Sequence, residues 1–372
     1  MSSRRIRRRR AAAAVVLGVL ATAIGVHATL DDGGESGTTG PDAGDLTVRQ
    51  LAGERLMAGF AARKPPPELR RMIRHGGLAG VVLFSNNFSS SAEARHLIRA
   101  LQSIRRPPGL RDPLLVMVDQ EGGQVKRLPG APQASAAEIG RRGPSYSREQ
   151  GRLTARDLAG AGINVDLAPV LDVGRPGGAI GGEGRSFGAT ASKVSETAVP
   201  FAGALQAGGV AATGKHFPGL GAAEVNTDLG VERIGLPKET LRDVDEVPFR
   251  SFVAAGGKLV MMSSAIYPGF SERPAAFART IATGELRGRL GFEGVSVTDD
   301  LQSTAVHAFG GSAKVGRAAA LAGTDLLLFR SYRAAAQAGT GLRGALKARV
   351  LPRAEFERSV QRVLDLRAGL RF

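Results

Sequence analysis

Residues 213–229 read T-G-K-H-F-P-G-L-G-A-A-E-V-N-T-D-L, and this stretch indicates the fold class. A short apolar run precedes it, and Lys215 and His216 stand where that run ends. Two glycines then loosen the backbone, and Asn226 and Asp228 close the segment. A barrel enzyme builds its site in this way, with a strand that delivers polar groups to its carboxyl end and a loop that adds a carboxylate. The alternative is a glycine-rich connector with a solvated Lys-His pair, and so many special residues in one turn argue against it.

Short apolar runs alternate with longer Ala-, Leu- and Arg-rich helical stretches along the rest of the chain. The runs are nearly continuous rather than alternating, which is typical of parallel strands buried on both faces. Eight such units in about 325 residues predict an α/β protein with a single TIM-type (β/α)8 barrel. No G-x-G-x-x-G fingerprint opens an early helix, which disfavours a dinucleotide-binding sheet. The predicted strands are Leu56–Phe60, Gly80–Phe84, Leu114–Asp119, Asn164–Val170, Val210–His216, Leu259–Ile266, Gly294–Asp299 and Asp325–Arg330.

The N-terminus has the pattern of an export segment. The first ten residues are rich in arginine, and residues 11–30 form an apolar run that is long enough to span a bilayer. We predict a signal peptide or N-terminal membrane anchor at 1–30, a flexible linker at 31–45 and one folded domain at 46–372. The domain is therefore expected outside the cytoplasm, either secreted or attached to the outer face of the cytoplasmic membrane through residues 11–30.

The composition bounds the partners and the chemistry. The net charge of +16 raises the question of nucleic-acid or anionic wall binding. The later arginines are spread over helical segments without interleaved aromatic residues, so we predict a solvated basic surface and no nucleic-acid partner. The absence of cysteine excludes disulfides, thiol catalysis and cysteine-ligated metal. The five histidines show no ligand spacing, so no metal and no cofactor are expected. We expect a monomer.

Polar residues stand at the predicted carboxyl ends of several strands. Asp119 closes L-L-V-M-V-D, Asp172 follows A-P-V-L, and Asp299 and Asp300 end V-S-V-T-D-D. A carboxylate among apolar strand residues is costly to bury unpaired, so several at one rim indicate a shared site. The alternative, that each carboxylate caps the following helix, stays open for Asp300 in particular.

Five motifs in order resemble the β-N-acetylhexosaminidase branch of glycoside hydrolase family three: V-D-Q-E-G-G-Q-V-K-R-L, A-P-V-L-D-V, G-R-S-F-G, G-K-H-F-P-G and V-T-D-D-L. The resemblance runs from residue 46 to the C-terminus and implies a single-barrel enzyme that acts with retention. It implies that Asp299, the first aspartate of T-D-D-L, is the nucleophile. The implied substrate is a carbohydrate with terminal β-linked N-acetylglucosamine, in peptidoglycan fragments or chito-oligosaccharides. The sugar-binding residues that it implies are Asp119, Arg127, Arg185, Lys215 and His216.

The chain departs from the family pattern at the acid/base. The family continues K-H-F-P-G-H-G and ends in Asp-Ser-His, where the histidine is the acid/base. Here the corresponding positions are Leu220, Asn226 and Asp228. A carboxylic acid is a competent general acid when its site raises its pKa, so we predict that Asp228 takes this role. The segment before Arg185 is two residues longer than the family pattern, and it contributes Glu183 as a second candidate acid/base.

Two other functions remain open at this point. One is a β-glucosidase or a glycosyl phosphorylase of the same family. The other is a catalytically silent sugar- or wall-binding barrel, because the expected histidine is replaced. The enzymatic interpretation requires Asp228, after the fifth strand, and Asp299, after the seventh, to share one sugar-sized cleft.

Overall fold

The computed structural model describes residues 42–370, and its centre is a sheet of eight parallel strands. Each strand overlaps one of the eight predicted runs, so all eight predictions are confirmed. In chain order, from first to eighth, the strands are Leu56–Ala58, Gly80–Val82, Leu115–Val118, Val165–Asp166, Ala211–Phe217, Leu259–Met262, Val295–Thr298 and Leu327–Phe329.

The sheet closes on itself. Sequential strands pair in parallel, and the first strand also pairs with the eighth through Leu56 and Leu327. The seventh and eighth strands meet at a bridge between Val297 and Leu326, and the backbone N–H of Thr298 donates to the carbonyl of Leu326 at 2.9 Å. The single TIM-type barrel is therefore confirmed.

Helices cover the outside of the barrel. Several begin at side-chain caps that the sequence provides: Ser90 accepts from the N–H of Glu93, and Thr190 accepts from that of Lys193. The α-helices are Val48–Gly53, Pro67–Arg74, Ser91–Gln102, Ala136–Arg142, Pro144–Ala161, Ala179–Gly182, Ala191–Ala207, Lys238–Thr240, Val247–Ala254, Thr304–His307, Ser312–Ala322, Tyr332–Lys347 and Arg353–Ala368. Leu241–Asp245 and Thr280–Arg289 are π-helical, and Ala43–Asp45 and Ala275–Phe277 are turns of 3-10 helix.

The core has two layers, which explains the continuous apolar runs. Along the third strand, Leu115 and Met117 belong to the cluster inside the barrel, whereas Val116 and Val118 pack between the strands and the helices. Successive side chains of a strand point to opposite faces, so both faces must be apolar. Val363 of the last helix joins the inner cluster and packs across one end of the barrel.

The described chain includes only the end of the predicted N-terminal segments. The predicted signal peptide or anchor at 1–30 lies outside the described residues, as does the linker prediction for residues 31–41. The remaining linker positions include Ala43–Asp45, which form a 3-10 turn, and the N–H of buried Ala43 donates to Gln361 at 2.9 Å. Among residues 42–370, we find no helix with the length and hydropathy needed to cross a membrane.

Candidate active site

A cavity of about 220 Å³ opens at the carboxyl ends of the barrel strands. It lies where barrel enzymes place their chemistry. All seven predicted site residues line it: Asp119, Arg127, Arg185, Lys215, His216, Asp228 and Asp299. A larger cavity of about 910 Å³ lies near the amino ends of the fourth to sixth strands, but no carboxylate is among the described residues that line it. The smaller cavity therefore combines acids, cations and an imidazole at the carboxyl ends of the strands, which the larger one does not.

Asp119 and Lys215 form the first part of a charged cluster in the deep end of the cavity. Asp119 follows the third strand and accepts from Lys215 Nζ at 2.9 Å and from Arg127 Nη2 at 3.2 Å. Lys215 lies on the fifth strand, and only 2% of its side chain is exposed. The two side chains come from different strands, so the closed barrel is what brings them together.

Glu121 completes this cluster, although it was not among the predicted site residues. Its carboxylate lies 2.6 Å from Lys215 Nζ, and it accepts two bonds of 2.8 Å from Arg185. It sits in a tight hairpin, Gln120–Gly122 paired with Val125–Lys126, whose turn needs the positive φ of Gly122 and Gly123. The glycine pair in Q-E-G-G was the available signal that the chain turns back here.

The ion pairs keep this cluster charged although it is buried. Burial alone would raise the pKa of Asp119, but the charges of Lys215 and Arg127 lower it to about 2. Burial is likewise outweighed at Glu121, where Lys215 and Arg185 lower the pKa to about 2. For Lys215, burial would lower the pKa, but the two carboxylates raise it. The cluster therefore presents fixed charges and oriented donors to a ligand.

His216 is oriented by Asp172, a second group that was not among the predicted site residues. Asp172 Oδ2 lies 2.7 Å from His216 Nδ1, and Oδ1 accepts from the backbone N–H groups of His216 and Leu220 at 3.1 and 2.7 Å. His216 is the extra residue of a bulge in the fifth strand, which turns its ring toward the cavity. Because Asp172 holds Nδ1, Nε2 is the ring nitrogen left for a ligand.

Asp299 and Asp228, the two predicted catalytic residues, line the same cavity. Asp299 follows the seventh strand, and its N–H donates to the carbonyl of Met262 at 3.1 Å. Asp228 lies on the loop after the fifth strand, where its N–H donates to Asn226 Oδ1 at 3.0 Å. Burial raises the pKa of Asp228, and the nearby charge of Asp299 raises it further, while Arg330 opposes both. This environment favours a protonated carboxyl at Asp228.

A third carboxyl of the outer rim, Asp300, has a structural partner. Its Oδ2 lies 2.5 Å from Arg330 Nε, and its Oδ1 accepts from the N–H groups of Gln302 and Arg330 at 3.0 and 3.3 Å. The helix that follows begins after Ser303, so Asp300 supports the loop backbone rather than the helix end. Burial raises the pKa of Asp300 to about 6, against the charge of Arg330.

The longer segment before Arg185 does not keep this arginine away from the cavity. Its guanidinium reaches Glu121 as described, and Nη1 lies 3.2 Å from Glu183 Oε2. The other oxygen of Glu183 lies 3.5 Å from Asn226 Nδ2. Glu183 therefore contacts both the buried charged cluster and the loop of Asp228. No cluster of acidic or histidine side chains suited to a metal ion occurs among residues 42–370.

Residues 45–366 match the glycosyl hydrolase family 3 N terminal domain. The chain belongs to glycosyl hydrolase family 3. An uncharacterized secreted glycosyl hydrolase from Arthroderma benhamiae is 37% identical over 337 residues, which are 88% of this chain and 94% of that protein. A beta-hexosaminidase from Alkalilimnicola ehrlichii is 35% identical over 289 residues, 74% of this chain and 80% of the relative.

Solved structures of family 3 enzymes have the same fold. A beta-N-acetylglucosaminidase from Paenibacillus superposes with a TM-score of 0.82 at 33% identity, covering 87% of this chain and 63% of that longer chain. A beta-N-acetylhexosaminidase from Beutenbergia cavernae gives a TM-score of 0.78 at 31% identity and covers 87% and 99%. The resemblance to family three is thereby confirmed, and this chain is a glycoside hydrolase.

For a family 3 enzyme, the cavity divides into two parts with different electrostatics. In the deep part, every cation that lines the cavity contacts a carboxylate, as with Lys215 and Glu121. In the outer part, Asp228 and Asp299 are two carboxyls without an ion pair among the described residues. Paired charges suit recognition of a neutral sugar, and two interacting carboxyls with different environments suit acid/base chemistry.

Proposed function

We propose that this family 3 enzyme is a retaining β-N-acetylhexosaminidase that removes terminal β-linked N-acetylglucosamine from peptidoglycan fragments or chito-oligosaccharides. The observation that carries the proposal is the presence of Asp228 and Asp299 in one cavity, beside a buried cluster of paired sugar-binding charges. The names of the relatives, beta-hexosaminidase and beta-N-acetylglucosaminidase, support the same sugar.

The first step uses the two carboxyls in opposite protonation states. Asp299 attacks the anomeric carbon as a carboxylate and forms the glycosyl-enzyme, while Asp228 gives its proton to the departing glycosidic oxygen. The raised pKa of Asp228 suits a group that must be protonated before the reaction. In the second step Asp228 takes a proton from water, the resulting hydroxide attacks the anomeric carbon, and Asp299 is released as a carboxylate.

The deep cluster binds the sugar in this scheme. Asp119 accepts hydrogen bonds from adjacent hydroxyl groups, and Arg127 and Lys215 donate to others. Asp172 holds His216 with Nε2 free for a further hydroxyl. Because the ion pairs are formed before the sugar arrives, little reorganisation is needed on binding.

Charge favours water over phosphate as the acceptor. Asp228, Asp299 and Asp300 line the outer part of the cavity together with one cation, Arg330. In the glycosyl-enzyme Asp299 is a neutral ester, but a phosphate dianion would still approach against the carboxylates of Asp228 and Asp300, whereas water meets no such repulsion. We therefore favour hydrolysis over the phosphorylase alternative, and added phosphate is expected to leave the product unchanged.

Two substitutions test the proposal. Asp299→Ala should abolish hydrolysis of an aryl β-N-acetylglucosaminide, and undiminished turnover would remove the nucleophile assignment. Asp228→Ala should hydrolyse the aryl substrate slowly and a natural disaccharide hardly at all, because only the disaccharide needs a proton on its leaving oxygen. Equal losses on both substrates would exclude Asp228 as the acid. Sugar binding without turnover by the unchanged enzyme would instead select the silent barrel.

The export of the enzyme and its monomeric state also remain proposals. The arginine-rich start and apolar run of residues 1–30 support export, as does the secreted relative. Cell fractionation and N-terminal sequencing of the mature enzyme would separate a cleaved signal peptide from an uncleaved anchor, and light scattering would give the oligomeric state.

A further inference from the structure

Glu183 lies between the two parts of the cavity. Its Oε2 accepts from Arg185 Nη1 at 3.2 Å, and its Oε1 lies 3.5 Å from the amide nitrogen of Asn226. Asn226 in turn accepts from the N–H of Asp228 at 3.0 Å. One carboxylate therefore contacts both a sugar-binding arginine and the turn that carries the acid/base.

The segment that contains Glu183 also supports the backbone of the acid loop, which we define as residues 221–231. The N–H of Ala179 donates to the carbonyl of Ala223 at 2.8 Å. Gly178 packs so closely that a Cβ there would lie 2.4 Å from the carbonyl oxygen of Gly221. Residues 178–183 thus contact the acid loop in two places, at its beginning and at Asn226.

Ala223 is the buried apolar residue of the acid loop, and the large apolar side chains contribute little to the position of the loop. Its three large apolar side chains are well exposed, with fractions of 44%, 75% and 49%: Val225, Leu229 and Val231. A segment with few buried apolar contacts has a low local stability, so individual polar contacts have a large influence on where it sits.

We propose that Glu183 is a positioning residue that couples sugar recognition by Arg185 to the seating of Asp228. The coupling rests on the proposed glycosidase function, and the shared carboxylate is the side chain that contacts both Arg185 and Asn226. Arg185 has five N–H donors, and three of its nitrogens already donate to Glu121 and Glu183. A sugar hydroxyl that engages a remaining N–H fixes the guanidinium, which fixes Glu183 and so favours one position of Asn226 and Asp228.

This role differs from that of an acid/base at Glu183. Its pairing with Arg185 uses the ionised carboxylate, whereas a general acid must carry a proton. Both of its oxygens also face protein groups, so neither is directed only at a leaving oxygen. Positioning therefore fits the geometry better than proton transfer.

The test compares Glu183→Ala, Glu183→Gln and Asn226→Ala on two substrates, an aryl β-N-acetylglucosaminide and chitobiose. Glu183→Ala should lower kcat on chitobiose about tenfold and on the aryl substrate less than threefold, because only chitobiose depends on a seated acid. Glu183→Gln keeps one acceptor oxygen for Arg185 but turns an amide N–H2 toward the N–H2 of Asn226, so it should recover little of the loss on chitobiose. The double variant with Asn226→Ala should be no worse than either single variant, since both break the same link. Glu224→Ala, on the acid loop but outside these contacts, is the matched control and should match the unchanged enzyme.

A second readout follows the loop directly. Hydrogen exchange of residues 221–231 in Asp299→Ala protein should slow when N-acetylglucosamine is added, and this protection should be lost when Glu183→Ala is combined with it. Equal losses on both substrates, or multiplicative effects of Glu183→Ala and Asn226→Ala, would overturn the proposal. So would rescue of Glu183→Ala by azide, which would make Glu183 the acid/base itself. Activity of the unchanged enzyme on the aryl substrate is measured first: its absence refutes the glycosidase function, whereas its presence with unchanged loop protection in Glu183→Ala refutes only the coupling.

Discussion

Replacing Glu121 with glutamine tests whether the buried ion pairs, rather than the sugar-facing groups alone, build the binding site. Glu121 has a side chain that is only 3% exposed, and it holds both Lys215 and Arg185. Glu121→Gln removes one charge and almost no volume. Lys215 keeps Asp119 as a partner, and Arg185 keeps Glu183.

The expected loss of stability follows from the electrostatic interaction of Glu121 with Lys215 and Arg185. Burial alone would raise the pKa of Glu121, but Lys215 and Arg185 lower it from 4.5 to about 2. A difference of that size corresponds to about 3 kcal/mol in favour of the folded state at neutral pH. The glutamine still accepts a hydrogen bond, so we expect the free energy of unfolding to fall by about 2–3 kcal/mol. The displaced cations should lower kcat/KM by about 100-fold.

The matched control is Glu285→Gln. Glu285 is a buried glutamate that also bonds two arginines, Arg242 at 3.0 and 2.5 Å and Arg289 at 2.5 Å, but it does not line the cavity. Urea unfolding should give a loss of stability of similar order for both variants. Only Glu121→Gln should lose activity on an aryl β-N-acetylglucosaminide, and Glu285→Gln should stay within about twofold of the unchanged enzyme.

The pH dependence of unfolding is the most direct test of the role given to the Glu121 ion pairs. The pKa of Glu121 is lower in the folded than in the unfolded chain, so its stabilisation is present above about pH 4.5 and is lost as the pH falls toward 2. The stability difference between the unchanged enzyme and Glu121→Gln should therefore shrink over this range. A difference that stays constant down to pH 3, or an active Glu121→Gln enzyme, would contradict the role given to these ion pairs.

Two further substitutions address single groups of the site. Asp172→Asn places an amide where Asp172 accepts three hydrogen bonds, which should cost about 2 kcal/mol of transition-state stabilisation, or roughly thirtyfold in kcat/KM, with an unchanged far-ultraviolet spectrum. Full activity would show that the orientation of His216 is unimportant. Arg330→Gln removes a charge that lowers the pKa of Asp228, so Asp228 stays protonated to higher pH and the basic limb of kcat/KM on chitobiose should move up by roughly half a pH unit. A downward shift, or the same shift with the remote Arg343→Gln, would refute this electrostatic link.

The barrel was predictable because its signal is repeated eight times. Each strand is buried on both faces, and the resulting apolar runs are visible without any pairing information. Strand lengths were less predictable. The fourth strand was predicted from Asn164 to Val170 but pairs regularly only over Val165–Asp166. Pro169 lacks the N–H that a continuing ladder needs, and only a single bridge at Val170 resumes the pairing.

The site was predictable where a residue's position along a strand decides its location. The carboxyl ends of parallel strands meet at one rim, so Asp119, Lys215 and Asp299 had to converge once the barrel was assumed. Glu121 depends on a different feature, the hairpin that folds back over the rim, and its spacing from Asp119 alone does not reveal this turn. The contact between Asp172 and His216 was equally difficult to predict. It joins the ends of two strands, and it depends on the bulge at His216.

The replacement of the family histidine by Asp228 becomes understandable from the surroundings of the acid loop. A histidine acid needs an acceptor to orient it, and the family pattern supplies an aspartate two residues earlier; here that position is Asn226, which instead receives the N–H of Asp228 and faces Glu183. A carboxylic acid needs no such partner, but it must be kept protonated. Burial and the charge of Asp299 both raise the pKa of Asp228. In the proposed mechanism, the nucleophile therefore helps to keep the acid protonated. Asp228 and its loop contacts are thus, in that mechanism, a consistent alternative to the histidine and aspartate of the family pattern, which favours a working acid/base over a silent barrel.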